Sequence, residues 1–268
     1  MFDVQNTPDN RGINIQQVGV KGVHLPFQIK TIAGSYQQVL GNVTLSAELP
    51  KEYRGTHMSR FIEVLQAWSQ KPISGHELRL ILAELSEKLA APAADISLRF
   101  RYFIPKKAPV SGIESHLDYL VETFGRLERD NYQYHLGLEI PVLSLCPCSK
   151  EISEYGAHNQ RAVIRARIRC HPGRFLWIEE LVSLLEQQGS CQIYPLLKRE
   201  DEKEITESAY THPKFVEDIV RDAVLALRAE SRVSWFAVEC ESYESIHNHS
   251  AFAAHEEEKN LPMQGMSL

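Results

Sequence analysis

Cys146 and Cys148 close the apolar run Pro141-Val-Leu-Ser-Leu-Cys-Pro-Cys148, and His158 follows after a polar, glycine-containing turn. Thiolate sulfur and neutral imidazole nitrogen are donors for zinc and neighbouring first-row ions, and an accessible thiolate is also a nucleophile. A closed structural zinc site uses four protein ligands, commonly in C-x-x-C pairs. This chain contains no C-x-x-C. If the strand persists through Cys148, the two sulfurs also point to opposite sides. One cysteine, one histidine and a distant carboxylate would instead leave a coordination position open, the arrangement in which an ion makes hydroxide available near neutral pH. The plain alternative is a set of buried free thiols.

Other stretches carry polar groups in useful combinations. Lys198-Arg-Glu-Asp-Glu-Lys203 is a dense charge run whose composition reads as a solvated loop. Glu217 falls in a helical pattern with Arg221 as an i,i+4 partner. Glu241-Ser-Tyr-Glu-Ser-Ile-His-Asn-His249 places two glutamates and two histidines after an apolar strand, and His247 and His249 share a face if the segment is extended. Arg54-Gly-Thr-His-Met-Ser-Arg60 joins two arginines, a histidine and two hydroxyls to a helix start, which makes either a phosphate cradle or an ordinary capped helix. Nothing matches a P-loop or a dinucleotide-binding fingerprint.

These groups sit in a chain of 268 residues, 43% hydrophobic and 24% charged, with a formal net charge of -6. Such a balance gives no global basic field to draw nucleic acid or an anionic membrane, and neither is expected as a partner. The N-terminal residues lack the basic start and apolar stretch of an export signal, and no apolar run is long enough to span a bilayer. Five cysteines argue against a disulfide framework and for a reducing cytoplasm.

Residues 13–32 and 38–49 are rich in Val, Ile, Phe and Leu and read as strands. A helix is expected from an N-cap at Ser59, with Phe61, Val64, Leu65 and Trp68 at helical spacing. Another follows Ser74, whose spacing to Glu77 is a capping box. Residues 96–102 alternate strictly, and 116–124 supply a partner strand. In the second half, 132–145 is strand-like. Residues 161–170 set Ala162, Ile164, Ala166 and Ile168 on one face and Arg161, Arg165, Arg167 and Arg169 on the other. The arginine face reads as solvated, with an anion-facing wall or a subunit interface as the sharper options. Helices are expected at 175–187 and at 213–228, the latter with Pro213 at its first position. Strands follow at 233–240 and 250–255. The expected fold is α+β: two tandem ββααββ-like modules with antiparallel sheets and helices on one face. Their bounds are a flexible arm at 1–12, modules at 13–129 and 130–256, and an acidic, polar tail at 257–268, with the charged segment 126–131 separating the halves.

Four segments in order complete the reading: Gly55-Thr-His-Met-Ser-Arg-Phe61, Cys146-Pro-Cys-Ser-Lys-Glu-Ile-Ser-Glu-Tyr-Gly-Ala-His-Asn-Gln-Arg161, Leu197-Lys-Arg-Glu-Asp-Glu-Lys203 and Glu244-Ser-Ile-His-Asn-His249. Together they resemble the prokaryotic type IB GTP cyclohydrolases. The resemblance implies the tunnelling fold, whose barrel is completed on oligomerisation, typically as a homotetramer. It implies conversion of GTP and water to 7,8-dihydroneopterin triphosphate and formate, the first step towards folate and queuosine-type tRNA modification. It places Cys146, His158 and Glu202 on a divalent metal, zinc or manganese, with Glu200 the alternative to Glu202. It sets Cys148 beside the substrate with Cys146 and His247 in the catalytic group, and gives the guanine edge to Glu217. The triphosphate needs cations, for which Lys198, Arg199 and the His57, Ser59 and Arg60 region are candidates, with a subunit boundary as one way of joining them. Two rivals stand beside this reading. One is a nitrile reductase of the same fold, with Cys148 as nucleophile and NADPH as reductant. The other is a non-enzymatic module built on a structural metal.

Overall fold

Period-two alternation produces long strands, which make up the largest share of the described residues. The computed structural model describes residue 5 and residues 7–259; part of the expected arm and most of the expected tail, residues 260–268, lie outside the described residues. The chain divides into two units. The first holds the described residues up to Arg101 together with Val121–Leu136. In it β1 (Ile15–Lys30) and β2 (Tyr36–Leu49) form an antiparallel hairpin with Phe27 opposite Val39. Its turn is closed by Thr31 and Ser35, with Gly34 at φ +79°, a conformation that favours glycine. β2 pairs antiparallel with β4 (Ala93–Lys107), Leu45 opposite Ile96, and the short β3 (Pro72–Ile73) runs parallel to the end of β1. Helices α1 (Met58–Ser69) and α2 (Gly75–Leu89) bury Phe61, Val64, Leu65, Ile81, Leu82 and Leu85 at 0% exposure, beside Phe27, Val43 and Leu45 of the sheet. Full burial of such side chains contributes roughly 1.5–3 kcal/mol each before the entropy of ordering is set against it. The Ser74–Glu77 capping box is present, and Lys30 Nζ adds an ion pair to Glu77 at 2.7 Å.

The second unit holds Tyr102–Leu120 and the described residues from Gly137 onward, so β4, β5 (Glu114–Glu128) and β6 (Asn131–Leu145) contribute residues to both units. Here β6, β7 (Asn159–Cys170), β9 (Val233–Ser242) and β10 (Ala251–Glu258) lie side by side. β7–β9 and β9–β10 are antiparallel, and β8 (Cys191–Gln192) pairs antiparallel with β6. Helices α4 (Ile178–Glu186) and α6 (Val216–Ala229) bury Leu181, Leu185, Ile219, Ala223 and Leu227 with Ile164 and Phe236 of the sheet. The opposite face of β7 is a ladder of cross-strand ion pairs. Arg165 meets Glu239 at 2.9 Å and Glu241 at 2.7 Å, and Arg169 meets Glu258.

Several boundaries differ from the sequence reading. The strand does not persist through Cys148: α3 (Pro147–Ile152) begins there, with Pro147 in its first turn and Cys146 Sγ accepting the Ser149 N–H. His57, not Ser59, is the N-cap of α1, and Ser59 lies inside the helix. α4 is shorter than 175–187 because Glu180 accepts the Trp177 N–H and fixes the start. α6 begins at Val216 rather than Pro213, because Asp218 turns back onto the Phe215 N–H. The segment 126–131 completes β5 and turns into β6, with Arg129 at φ 55°. β10 carries regular structure to Glu258.

The charge run after Leu197 is not a solvated loop but α5 (Arg199–Thr211). Its buried residues are Asp201 and Ala209. Asp201 is 0% exposed and accepts from the Val110 and Ser111 N–H groups, the Ser111 hydroxyl and the Lys198 N–H, all within 2.6–2.9 Å. Burial pushes its carboxyl up, but the Ser111 hydroxyl and the three amides outweigh this and hold it well below the usual carboxylate range. A depressed folded-state value means stability that is present above the unfolded value and lost as pH falls through the folded one. Asp201→Ala is therefore expected to unfold several degrees lower than the parent at pH 7, with the gap closing as the pH is taken below about 4. Thermal unfolding of both proteins across that range checks this.

Candidate active site

Cys146 stands where β6 ends and α3 begins, half-buried, while Cys148 is exposed in the first turn of α3. The Cys146 N–H donates to the His158 carbonyl at 3.1 Å. Ser149 closes a second link: its hydroxyl donates to the Cys146 carbonyl at 3.1 Å and accepts the His158 N–H at 3.1 Å. A short helix and the loop after it thus fold back so that thiol and imidazole emerge from one clasp. His158 Nδ1 lies 2.9 Å from Gln160 Oε1. Gln160 in turn reaches Glu244 and Ser245, and the Tyr243 N–H donates to the Arg161 carbonyl at 3.0 Å. These bonds lay the loop 243–250 beside the clasp. That loop carries His247 and His249, both exposed, with rings stacked at 5.2 Å between centroids.

A third element arrives through the backbone. The Lys214 N–H donates to the Leu145 carbonyl at 3.0 Å, and Ser144 Oγ donates to the Lys214 carbonyl at 3.1 Å. This pins the start of α6, with Glu217 exposed in its first turn, to the residues just before Cys146. The second unit therefore gathers Cys146, Cys148 and His158 with the segments that bear Glu217 and His247. The remaining cysteines sit apart. All five are free, but burial pushes Cys240 up to about 12 and Cys170 up to about 11, so neither is a thiolate near neutral pH.

Other expected site residues are not brought to this place. Lys150 of α3 donates to the Tyr210 carbonyl in the last turn of α5 at 2.6 Å. Glu202, exposed in the first turn, lies about 12 Å further along that helix. Glu200, Lys198 and Arg199 share the exposed start of α5. His57, Ser59 and Arg60 belong to the first unit. There His57, Arg60 and Lys88 line a cleft of about 150 Å³, and Arg60 donates to the Lys88 carbonyl at 2.6 Å. Among the described residues, no group of three or more His, Cys, Asp and Glu side chains gathers to hold an ion. The thiol–imidazole pair fits a divalent transition metal in donor chemistry; the carboxylate expected to complete it stands elsewhere on α5.

Ser149, Gln160 and Glu244 carry much of this geometry. Gln160 and Ser149 are in the cysteine motif, but nothing in their type marks them, and Glu244 is 84 residues from Gln160.

The chain matches the family described as Type I GTP cyclohydrolase folE2 over residues 1–253. It is 49% identical over 253 residues to the GTP cyclohydrolase FolE2 of Magnetococcus marinus, covering 94% of each chain. It is also 49% identical over 259 residues to that of Geobacter sulfurreducens, covering 97% of this chain and 99% of the relative. Among solved structures it is similar to uricase from Arthrobacter globiformis (TM-score 0.55, 10% identity, 91% and 93% coverage). It is likewise similar to urate oxidase from Bacillus sp. TB-90 (TM-score 0.52, 9% identity, 92% and 100% coverage). At such identities the likeness to the two oxidases establishes the fold alone, the α+β tunnelling fold. The sequence matches, which span nearly the whole chain, show that it belongs to the FolE2 family of type I GTP cyclohydrolases.

Proposed function

We propose that the chain is a metal-dependent GTP cyclohydrolase that converts GTP and water to 7,8-dihydroneopterin triphosphate and formate at the start of folate biosynthesis. The observation that carries this reading is the clasp in which Ser149 ties Cys146 to His158, beside the segments bearing Glu217 and His247. Cys146 and His158 would hold a divalent ion, zinc or manganese, with Glu202 as third ligand once ion binding draws the exposed start of α5 towards the pair. When bound, such an ion makes water nucleophilic near neutral pH. Glu217 accepts both adjacent donors of guanine, N1–H and the exocyclic amine, and so aims C8 at the clasp. Water adds at C8, the C8–N9 bond breaks, a second water releases C8 as formate, and closure onto the rearranged ribose loses one water. His247 and Cys148 move protons in these later steps.

Lys198 and Arg199, with His57, Ser59 and Arg60, serve the triphosphate, a homotetramer bringing them to one substrate from neighbouring subunits. Exposed apolar side chains support such an assembly: Tyr155 is 96%, Ile152 84%, Phe252 70% and Ile246 64% exposed. No helix among the described residues is long and apolar enough to cross a membrane, and the free thiols suit the cytoplasm.

The test is incubation with GTP and added zinc or manganese, following formate and the fluorescence of the oxidised pterin, with a chelator control. Absence of formate under every metal would end the reading. For the phosphate group, Arg60→Ala and Lys198→Ala are each expected to raise the KM for GTP about tenfold with kcat little changed, as loss of one charge-assisted contact requires. An unchanged KM in both removes them from the site.

A further inference from the structure

We infer that Gln160, itself held by Glu244, is a positioning residue that fixes His158 as its Nδ1–H tautomer and so leaves Nε2 as the free donor; this rests on the reading of His158 as a metal ligand. Gln160 is 7% exposed, and the His158 and Glu244 side chains are each 14% exposed, so the trio is largely out of water. Its direction follows from what each group can do. A carboxylate only accepts, so the amide nitrogen of Gln160 must face Glu244, 3.4 Å from Oε1. Its carbonyl oxygen then faces His158, with the Ser245 hydroxyl donating to the same oxygen at 3.4 Å. That oxygen only accepts, so the proton of the neutral ring sits on Nδ1. The lone pair is left on Nε2, and the hydrogen bond at one ring nitrogen sets the role of the other. Glu244 Oε2, 4.0 Å from Nδ1, reinforces the same polarity. A loop residue and a strand residue thereby orient a side chain that the Ser149 clasp fixes at its backbone.

The experiment is long-range proton–nitrogen NMR of His158 in the metal-free full chain, with zinc affinity measured by competition against a chromogenic chelator. The parent is expected to show a protonated Nδ1 and an unprotonated Nε2. Gln160→Met, close in shape but lacking the acceptor, should give mixed tautomers and bind zinc about 10–100-fold more weakly. Gln160→Glu combined with Glu244→Gln keeps an acceptor on Nδ1 without setting two carboxylates against each other, and should restore both the tautomer and the affinity to within a few fold of the parent. Glu244→Ala frees the amide to turn and should also mix the tautomers, which keeps the test open should Gln160→Met fail to fold. An Nε2–H ring in the parent, or an unchanged tautomer in both Gln160→Met and Glu244→Ala, overturns the inference. If zinc instead binds Cys146→Ala and His158→Ala as tightly as the parent, the metal reading falls and the ligand half of the inference with it. The metal-free spectra still decide whether Gln160 sets the ring.

Discussion

Cys146→Ser is expected to lower formate release from GTP by about a thousandfold or more while the protein stays folded. The choice of serine isolates the chemistry. Cys146 Sγ caps α3 by accepting the Ser149 N–H, and a serine hydroxyl is a better cap than sulfur. The clasp bonds run through the Cys146 backbone and Ser149, and a change beyond Cβ leaves them in place. What the substitution removes is the soft thiolate, the donor that suits zinc best. Water activation depends on a drop in the pKa of bound water from 15.7 to about 7, so poor ion retention is felt over many orders of magnitude and a thousandfold is a lower bound. Formate release with zinc and with manganese, beside circular dichroism and zinc competition, checks this. Turnover within a few fold of the parent at the same total zinc or manganese would remove Cys146 from the reaction.

How far the sequence revealed this arrangement depended on which physical signal each part carries. β7 was legible because Ala162, Ile164, Ala166 and Ile168 alternate with arginines, and those four residues are buried as expected. α2 was legible because Ser74 and Glu77 announce a capping box. α5 was not, since its helix rests on one buried aspartate and one buried alanine and has no apolar stripe to read. α3 was missed because six residues are too few for periodicity, and the apolar run before it suggested a longer strand. In the site, residue types pointed to Cys146, Cys148 and His158 because thiol and imidazole are rare and chemically distinctive. Spacing could not show that Gln160 reaches Glu244, or that Lys214 ties α6 to Leu145, because those contacts exist only once β7, β9 and α6 are packed. Nor did it place Glu202 beside the pair, and the described residues leave it on the exposed start of α5.

Glu217→Gln is expected to lower kcat/KM for GTP about a hundredfold and to erase discrimination against ITP, which lacks the exocyclic amine. Glu217 sits exposed in the first turn of α6, and Arg221, its expected i,i+4 partner, is taken by Asp218 at 2.9 Å. A carboxylate there is not engaged in the surface pair that would have explained it blandly. Its two oxygens match two adjacent donors on guanine, each bond to a charged acceptor contributing about 1.5–3 kcal/mol. Glutamine keeps one acceptor and turns an N–H towards the second donor, so one bond is lost and a donor–donor contact replaces it. The parent should favour GTP over ITP by at least about tenfold, because ITP leaves one carboxylate oxygen unpaired. In the variant that preference should vanish, since the glutamine N–H opposes the exocyclic amine of GTP and meets only C2–H in ITP. Steady-state kinetics with the two nucleotides reads the ratio directly. A variant that keeps the parental preference would mean that another group holds the guanine edge and that the glutamate only decorates the helix start.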